Sequence, residues 1–240
     1  MGTDSPPAPL AILYEDRHCL IVAKPARLLT ASDKTGDQTL FALARAYHLG
    51  RQADGKKGYF APLHFLDRPV SGVVMFALSS KAAARLSAQL RERRVDKVYL
   101  AIVEGAPLGP AGVLEDWLLK DHQANVVTAV AQGTPEAKKS RLAYRLLARR
   151  GGLSLLEIRP ETGRSHQIRV QLASRGMPIY GDRKYGASVS CGGQIALHAR
   201  AVTFEHPVQR TPVTVTAPLP ANWDEIWPRI TDVQEAEADA

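Results

Sequence analysis

Apolar residues along the chain form short runs separated by turn-forming residues. In residues 10–24, two apolar runs flank the turn-like segment EDRH and stop before Pro25. This pattern predicts a pair of strands, because β-hairpins join two apolar runs through a short polar turn. Three later apolar segments also predict strands, since Gly, Ser or Pro residues bound them. They are VVMFALSS, VYLAIVEG and LSLLEIRP.

Three other segments have apolar residues at helical spacing. The first is TLFALARAYHLG, which ends at Gly50. The second, AAARLSAQLRERR, has apolar residues on one face and arginines elsewhere, and Ser79 or Ser80 can cap it. The third lies within TGRSHQIRVQLASRG, where we expect a cap at Ser165 and a helix that Gly176 terminates.

The order of these elements predicts the fold class. Strands come in runs, without a regular alternation of strand and helix. This favours an α+β fold with a mixed, largely antiparallel central sheet and flanking helices and loops over a doubly wound parallel sheet. The sequence shows no internal repeat of solenoid length.

The two ends of the chain differ in composition from its middle. Residues 1–9 are polar and rich in proline, and residues 231–240 are acidic with few apolar anchors, so we expect a disordered tail at each end. A single domain over residues 10–230 remains. It is long enough to bury a substantial hydrophobic core.

The composition predicts a soluble protein with a polyanionic partner. Hydrophobic residues make up 45% of the chain, and no apolar run approaches the roughly 20 residues of a membrane helix. Lys and Arg outnumber Asp and Glu by 31 to 24, which gives a net charge of +7. Because the start lacks a secretion signal, we expect a cytoplasmic protein with no membrane partner.

Several common catalytic motifs are absent from the sequence. It contains no GxxxxGK[ST], GxGxxG, HExxH or GxSxG. The two cysteines, Cys19 and Cys191, are not spaced like metal ligands, so we expect reduced thiols and no metal. Any catalysis therefore depends on side-chain acids, bases or nucleophiles, with arginines supplying electrostatic stabilisation.

Two polar segments are expected to form one site. In HFLDRPVSG, Asp67 stands between an apolar and a basic residue just before a predicted strand, and ETGRSHQIR supplies arginines at a turn before a predicted helix. An arginine close to a buried carboxylate lowers the pKa of the acid by roughly 1 to 3 units, which keeps it ready as a nucleophile or base. Taken alone, an ion pair between Asp67 and Arg68 in a turn is the simpler explanation.

The chain resembles the pseudouridine synthases of the large-subunit ribosomal A type in five successive segments. They are HFLDRPVSGVVMFAL, DKVYLAIVEG, ETGRSHQIRV, PIYGDRKYG and ALHARAVTFEHP. The resemblance implies the catalytic fold of that family, with an active-site cleft across the sheet. It implies that uridine in ribosomal or transfer RNA is isomerised to pseudouridine without cofactor or metal: the base is detached from C1′ of its ribose, turned, and rejoined through C5.

The resemblance also implies roles for individual residues. The family's aspartate falls on Asp67, its base-stacking tyrosine on Tyr99, and the arginine that pairs with the aspartate on Arg169. Arg164, at a turn that opens a helix, is expected to contact a phosphate, and Leu197 to form a wall of the pocket. Whether Asp67 adds to C1′ or removes a ribose proton stays open.

The sequence departs from the family pattern at two positions. Phe65 replaces the usual arginine; it can still stack in the gap left by an extruded base, but it lacks the phosphate contacts of a guanidinium. Arg27 replaces a glycine, so we expect that turn to be built differently. We expect Arg68 to bind substrate, and His64 and His166 to make structural hydrogen bonds.

Two alternatives to an RNA isomerase stay open. One is an RNA-binding paralogue with weak or no isomerase activity, which the replacement at Phe65 suggests. The other is a nucleoside or glycoside hydrolase, which needs a second carboxylate such as Glu157, Glu161 or Asp182. Because the first family motif lies close to the first residue, we expect no small basic RNA-binding module of the kind that many relatives carry in front. We therefore expect the domain itself to recognise RNA, and a monomer is the simplest oligomeric state.

Overall fold

The computed structural model of the protein describes residues 10–33, 35–51 and 58–230. The predicted tails, residues 1–9 and 231–240, lie outside the described residues. Among the described residues, the first half contains strands β1 (Ala11–Glu15), β2 (Cys19–Lys24), β3 (Ala61–Pro62), β4 (Ser71–Ala77) and β5 (Asp96–Glu104), with helices α1 (Leu40–Gly50) and α2 (Ser80–Arg91). The second half contains β6 (Ala111–Asp121), β7 (Val126–Val130), β8 (Lys138–Arg150), β9 (Leu153–Pro160), β10 (Leu197–Glu205) and β11 (Pro212–Thr216), with helices α3 (Gln167–Ala173) and α4 (Trp223–Ile226).

All of these strands join one mixed sheet, which confirms the predicted α+β class. The strand order is β1-β2-β4-β10-β5-β9-β8-β6-β7, with β11 paired to β10 and β3 to β4. The pairing of β4 with β10 is parallel, and the other strand pairings are antiparallel. The predicted hairpin, β1 and β2, forms one edge of the sheet.

The core lies on both faces of the central strands. In β2, Leu20 and Val22 pack into one cluster with α1 and α3, whereas Cys19 and Ile21 pack into a second cluster with Leu86 of α2. Side chains alternate between the two faces of a strand, so a strand covered on both sides must be apolar throughout. This explains the continuous apolar run that identified β4, whose seven residues are all buried.

The helix ends agree with the sequence in part. Thr39 caps α1, which includes Gly50, and the Ser79 hydroxyl accepts from the Ala82 N–H to cap α2. The cap expected at Ser165 is wrong: His166, with φ 50°, precedes α3 and provides no side-chain cap. The turn is instead held by the side chain of Gln167, whose Oε1 accepts from the Arg164 N–H and the Thr162 hydroxyl. The regular helix spans Gln167–Ala173, and Gly176 terminates it as predicted: Gly176 has φ 70°, its N–H donates to the Ala173 carbonyl, and the Met177 N–H donates to the Leu172 carbonyl.

The turn at Arg27 keeps the geometry that glycine favours. Arg27 has φ 73°, so the expectation of a differently built turn is wrong. Its N–H donates to the Arg68 carbonyl over 2.7 Å, and its own carbonyl accepts from the Arg68 Nε over 3.1 Å. These two hydrogen bonds offset part of the cost of a left-handed backbone at a residue with a Cβ.

Gly72 permits the parallel contact that positions the functional cleft. It has φ 119°, and a Cβ added here would collide with the backbone of Ala199. The two residues are register partners where β4 and β10 meet. The absence of a side chain therefore lets β10 lie against the strand that follows Asp67, which brings Leu197 beside the Asp67 loop.

A buried histidine at the same strand junction should make stability depend on pH. His198 is 2% exposed, with its Nδ1 2.8 Å from the Ser71 Oγ, and burial lowers its pKa from 6.5 to about 4. Between these values the unfolded chain binds the proton more tightly than the folded one. We expect the free energy of unfolding to fall as pH drops from 6.5 to 4, by up to about 1.4 kcal/mol per pH unit.

Urea denaturation at several pH values between 7 and 4.5 measures this effect. In His198→Gln the decline should be shallower than in the wild type, whatever the stability of the variant at pH 7. His122 is exposed, so His122→Gln is the matched control and should retain the wild-type slope. Equal slopes for the wild type and His198→Gln would contradict the prediction.

Among residues 10–33, 35–51 and 58–230, no helix is both long and apolar enough to cross a membrane.

Candidate active site

A cavity of about 370 Å³ opens where the loop before β4 meets β5 and the turn before α3. The loop contributes Asp67, β5 contributes Lys97 and Tyr99, and β10 contributes Leu197. Segment 160–168 provides the opposite wall. The cavity lies across the central strands, and it brings together residues that are far apart in the sequence.

Asp67 is held at the edge of this cavity with its carboxylate accessible. Its side chain is 29% exposed, and its Oδ2 lies 3.0 Å from the NH1 of Arg169. The loop that carries it is fixed on both sides. The Thr30 Oγ1 donates to the Leu66 carbonyl over 2.8 Å, and the Lys24 Nζ donates to the Arg68 carbonyl over 3.2 Å. The backbone therefore positions the carboxylate before any substrate binds.

Arg169 is fixed by a second carboxylate behind it. Its Nε and NH2 donate to the Oδ2 and Oδ1 of Asp182 over 2.7 and 2.9 Å, and its guanidinium lies 4.9 Å from the centre of the Tyr185 ring. Both residues of the pair are buried, at 5% and 2% exposure. Burial opposes the charge on Arg169, but Asp182 and Asp67 together raise its pKa. The remaining nitrogen, NH1, is directed at Asp67, as expected of a bidentate pair that fixes the guanidinium plane.

Tyr99 lines the same cavity from β5. Burial raises the pKa of its phenol, and the negative charge of Asp67 raises it further, so the hydroxyl stays protonated. Leu197, 3% exposed, forms part of the wall, which is the location that the sequence predicts for it. The predicted residues Asp67, Tyr99, Arg169 and Leu197 thus meet at one place, although up to 130 positions separate them.

The two histidines of the cavity make hydrogen bonds within the protein. The His166 Nδ1 lies 2.6 Å from the Tyr185 hydroxyl, and its Nε2 is 3.8 Å from the Asp67 Oδ2. Burial lowers the pKa of His166, and the charge of Asp67 partly opposes this. The His64 Nε2 accepts from the Met75 N–H over 3.3 Å, and burial, followed by the charge of Lys97, lowers its pKa to about 3. These contacts fit the structural role expected of both side chains.

The three other predicted substrate-binding residues differ in position. Phe65 lines the cavity and is 61% exposed. Arg164 also lines it, and its Nε donates to the Lys139 carbonyl over 3.2 Å. Arg68 points elsewhere: its NH1 pairs with Asp37 over 2.9 Å. Its role in substrate binding stays a prediction that this geometry does not favour.

Sequence reasoning missed the roles of three residues of the site. Asp182 and Tyr185, which fix Arg169, lie in PIYGDRKYG, where an isolated acid after a glycine was the available signal. Lys97 lies two positions before Tyr99 on the same face of β5, and burial lowers the pKa of its ammonium. The alternation of β5 places it in the cavity, but a lysine at the start of a strand carries little information by itself.

The hydrolase alternative lacks its second acid. The Asp182 carboxylate accepts hydrogen bonds from Arg169, and the Glu157 Oε1 pairs with the Arg159 Nε over 3.0 Å. Glu161 pairs with Arg141. Asp67 is the one carboxylate among the described residues that lines the cavity. Two carboxylates on opposite sides of a glycosidic bond, the usual arrangement in glycosidases, are therefore missing from the described part of this cavity.

Elsewhere, Asp16, Cys19 and His206 lie close enough together to resemble metal ligands. Their polar atoms already have partners. The His206 Nε2 is 2.6 Å from the Asp16 Oδ2, the Cys19 N–H donates to the Asp16 Oδ1, and the His206 Nδ1 accepts from the Gln209 N–H. The cluster therefore links the β1–β2 turn to the β10–β11 turn by hydrogen bonds.

Comparison with known proteins gives consistent matches. The family model described as RNA pseudouridylate synthase matches residues 18–174. An uncharacterized RNA pseudouridine synthase of Bacillus subtilis, YhcT, is 35% identical over 215 residues, which cover 89% of this chain and 70% of the relative. The tRNA pseudouridine synthase C of Vibrio cholerae is 33% identical over 238 residues, 91% of this chain and 93% of the relative.

Two further matches concern ribosomal RNA and the fold. The ribosomal large subunit pseudouridine synthase D of Xylella fastidiosa is 35% identical over 237 residues, 91% of this chain and 69% of the relative. Among solved structures, the human RNA pseudouridylate synthase domain containing 1 superposes with a TM-score of 0.73 at 25% identity, covering 96% of this chain and 95% of the other.

Proposed function

The chain belongs to the RNA pseudouridylate synthase family, and we propose that Asp67 is the residue with which it isomerises specific uridines of ribosomal or transfer RNA to pseudouridine. The observation that carries the proposal is the 3.0 Å contact between the Asp67 Oδ2 and a guanidinium whose other nitrogens are held by Asp182. This arrangement supplies an oriented and accessible carboxylate.

The reaction needs one bond to break and another to form at the same ribose carbon. The C1′–N1 bond breaks, C1′ bonds to C5 of the turned base, the proton on C5 leaves to solvent, and N1 gains a proton. No oxidation or reduction occurs. Asp67 can serve by adding to C1′ or by removing a ribose proton, and both roles need a carboxylate held in a fixed orientation, which the contact with Arg169 provides.

The cavity provides a place for an extruded base. A uridine in structured RNA must leave its stack before C1′ can be reached. We propose that Tyr99 stacks on the extruded uracil and that Leu197 limits its pocket, because both line the cavity that Asp67 borders. A protonated phenol adds no charge to the base-binding surface. Arg164, which lines the same cavity, can bind a phosphate of the RNA strand that carries the uridine.

Ribosomal and transfer RNA are the proposed substrates because relatives that act on each are similarly distant from this chain. Both RNAs function in the cytoplasm, so we propose that location for the enzyme. The alternative of an RNA-binding paralogue is less favoured, since Asp67, Tyr99 and Arg169 are all retained: Asp67 and Tyr99 line one cavity, and Arg169 pairs with Asp67 from behind it.

Incubation with RNA that carries tritium at C5 of uridine tests the function. Release of tritium to water supports isomerisation, because the C5 proton must leave. Release of free uracil would instead support a hydrolase. Tight RNA binding with neither product would support the paralogue, and sequencing of the modified positions would identify the target uridine.

Phe65 should contribute to RNA binding through stacking. It is 61% exposed at the cavity, and stacking on an aromatic side chain is worth roughly 1 to 3 kcal/mol per base. We expect Phe65→Ala to weaken the binding of unmodified tRNA and ribosomal RNA transcripts by about 5- to 100-fold. Phe65→Trp should retain most of the affinity.

Leu108 provides the control for this substitution. It is a fully exposed apolar residue in the loop between β5 and β6, so Leu108→Ala should bind RNA like the wild type. Fluorescence anisotropy with labelled transcripts measures the dissociation constants. If Phe65→Ala and Leu108→Ala bind equally well, Phe65 does not stack on RNA.

A further inference from the structure

A second cavity, of about 530 Å³, adjoins the active-site cavity. The two share one wall, formed by residues Gly163, Arg164 and Ser165. The other walls come from the end of β6, from β7 and from the start of β8. A strand of RNA that places one nucleotide in the first cavity therefore has space for another on the far side of Arg164.

Two lysines reach the second cavity from the face of the sheet that bears the active site. Asp116 marks this face of β6, because its Oδ2 accepts from Gln171 of α3 over 2.7 Å. Lys120 lies four positions later and has the same orientation, since side chains alternate along a strand. Lys138 is the register partner of Leu118, which also shares this face. Both lysines line the cavity.

Basic residues on the two faces of these strands differ in their partners. On the opposite face, the Lys139 Nζ lies 3.0 Å from the Glu115 Oε1, and Arg141 contacts the same carboxylate. On the cavity face, the ammonium groups of Lys120 and Lys138 make no ion pair or hydrogen bond with the part of the chain that the structure describes. One carboxylate, that of Glu136, accompanies them in the lining.

The floor of the second cavity is apolar beneath this cationic rim. Leu118 and Val127 form part of the lining, and each is only 3% exposed. Arg164 lies at the boundary of the two cavities, where its Nε is held by the Lys139 carbonyl. Cations at the rim suit a phosphate, and an apolar floor suits the face of a base or a ribose.

We propose that the second cavity binds the nucleotide next to the target uridine, with the phosphate between them held by Arg164, Lys120 and Lys138. The assignment rests on the proposed function, because the first cavity must hold the target uridine. The net charge of the cavity favours an anion, and its volume exceeds what a single phosphate needs. The ligand is thus a single-stranded or extruded nucleotide, recognised through its backbone and not through the edge of its base.

The test compares the two cavity lysines, Lys120 of β6 and Lys138 of β8, with Lys139 on the opposite face of β8. In an Asp67→Asn background, which prevents turnover, the double variant Lys120→Gln/Lys138→Gln should bind unmodified tRNA transcripts about 10-fold more weakly at moderate salt. The slope of log affinity against log salt should become shallower by up to about 0.7, the loss of the contact to one phosphate of a single strand. The matched control, Lys139→Gln, should differ from its parent by less than about 2-fold. Equal affinities and slopes for the double variant and the control would overturn the proposal.

A chemical probe tests the position of the contact. The probe is a nine-nucleotide adenosine RNA with one central uridine, made with the normal linkage or with a neutral methylphosphonate on either side of the uridine. Of the two neutral linkages, the one that replaces the phosphate between the two cavities should weaken binding to the Asp67→Asn protein. The same linkage should have little further effect on binding to the double variant, which lacks the lysines that contact this phosphate. Equal binding of the charged and neutral probes, including no binding of either, would overturn the assignment.

Failure of this proposal and failure of the proposed function give different results. Tritium release by the wild type from RNA labelled at C5 is measured in parallel. If tritium is released and the double variant binds like the control, only the second cavity is misassigned. If no tritium is released, the proposed function itself fails.

Discussion

Asp67→Asn is expected to lower the rate of pseudouridine formation by at least about 1,000-fold, the scale on which loss of an essential catalytic side chain acts. The amide has the same shape as the carboxylate, but it can neither add to C1′ nor take a proton from the ribose. Arg169 keeps its two hydrogen bonds to Asp182, so the substitution should leave the site otherwise intact. Single-turnover tritium release from RNA labelled at C5 of uridine measures the effect.

Asp96 is the matched control for this substitution. It also pairs with an arginine, over 2.6 Å to the NH1 of Arg159, but it precedes Lys97 on β5 and faces away from the cavity. Asp96→Asn should keep the wild-type rate. RNA affinity should change little in Asp67→Asn, which separates a loss of chemistry from a loss of binding. Tritium release by Asp67→Asn near the wild-type rate would exclude Asp67 from the reaction.

The central strands could be predicted because their environment leaves a local signal. Strands β2 and β4 are covered on both faces, and an element buried on both sides is apolar at most positions. The exceptions, Lys24 and Ser71, are hydrogen-bonded. The hydrophobic pattern of the sequence therefore identifies them. The same reasoning identifies β5 and β9, in which consecutive residues, 100–103 and 154–156, are buried.

The strands at the other edge of the sheet could not be predicted in this way. Strands β6 and β8 carry many charged residues, and one face is stabilised by ion pairs across the strands, such as that between Lys139 and Glu115. Such pairs form only once the strands are in register, so the sequence does not reveal them. The second cavity, which these strands line, was consequently not anticipated.

The family motifs identified some residues of the site and not others. The pairing of Asp67 with Arg169 joins residues 102 positions apart. The sequence pattern placed their two segments in one site, but only the resemblance to known enzymes identified Arg169 as the partner. Asp182 illustrates the limit. In the sequence it was one of three acids available to a hydrolase. Its contact with Arg169 depends on a tertiary geometry that no local pattern encodes.

Removal of Asp182 should have the largest effect on stability. Asp182→Ala leaves the buried guanidinium of Arg169 without its bidentate partner, and an uncompensated buried charge costs about 3 to 5 kcal/mol in the free energy of unfolding. Urea denaturation measures this loss. The exposed Asp224 provides the control, since Asp224→Ala should change the free energy of unfolding by no more than about 0.5 kcal/mol.

A second variant separates the effect on stability from the effect on activity. The double variant Asp182→Ala/Arg169→Met removes both charges, so it should be more stable than Asp182→Ala alone, as replacement of a buried ion pair by apolar groups often is. Its isomerase activity should nevertheless stay low, because Asp67 loses the guanidinium that orients its carboxylate. A double variant no more stable than Asp182→Ala would mean that an orphaned charge is not what destabilises the single variant. Recovered activity would mean that Asp67 does not need Arg169.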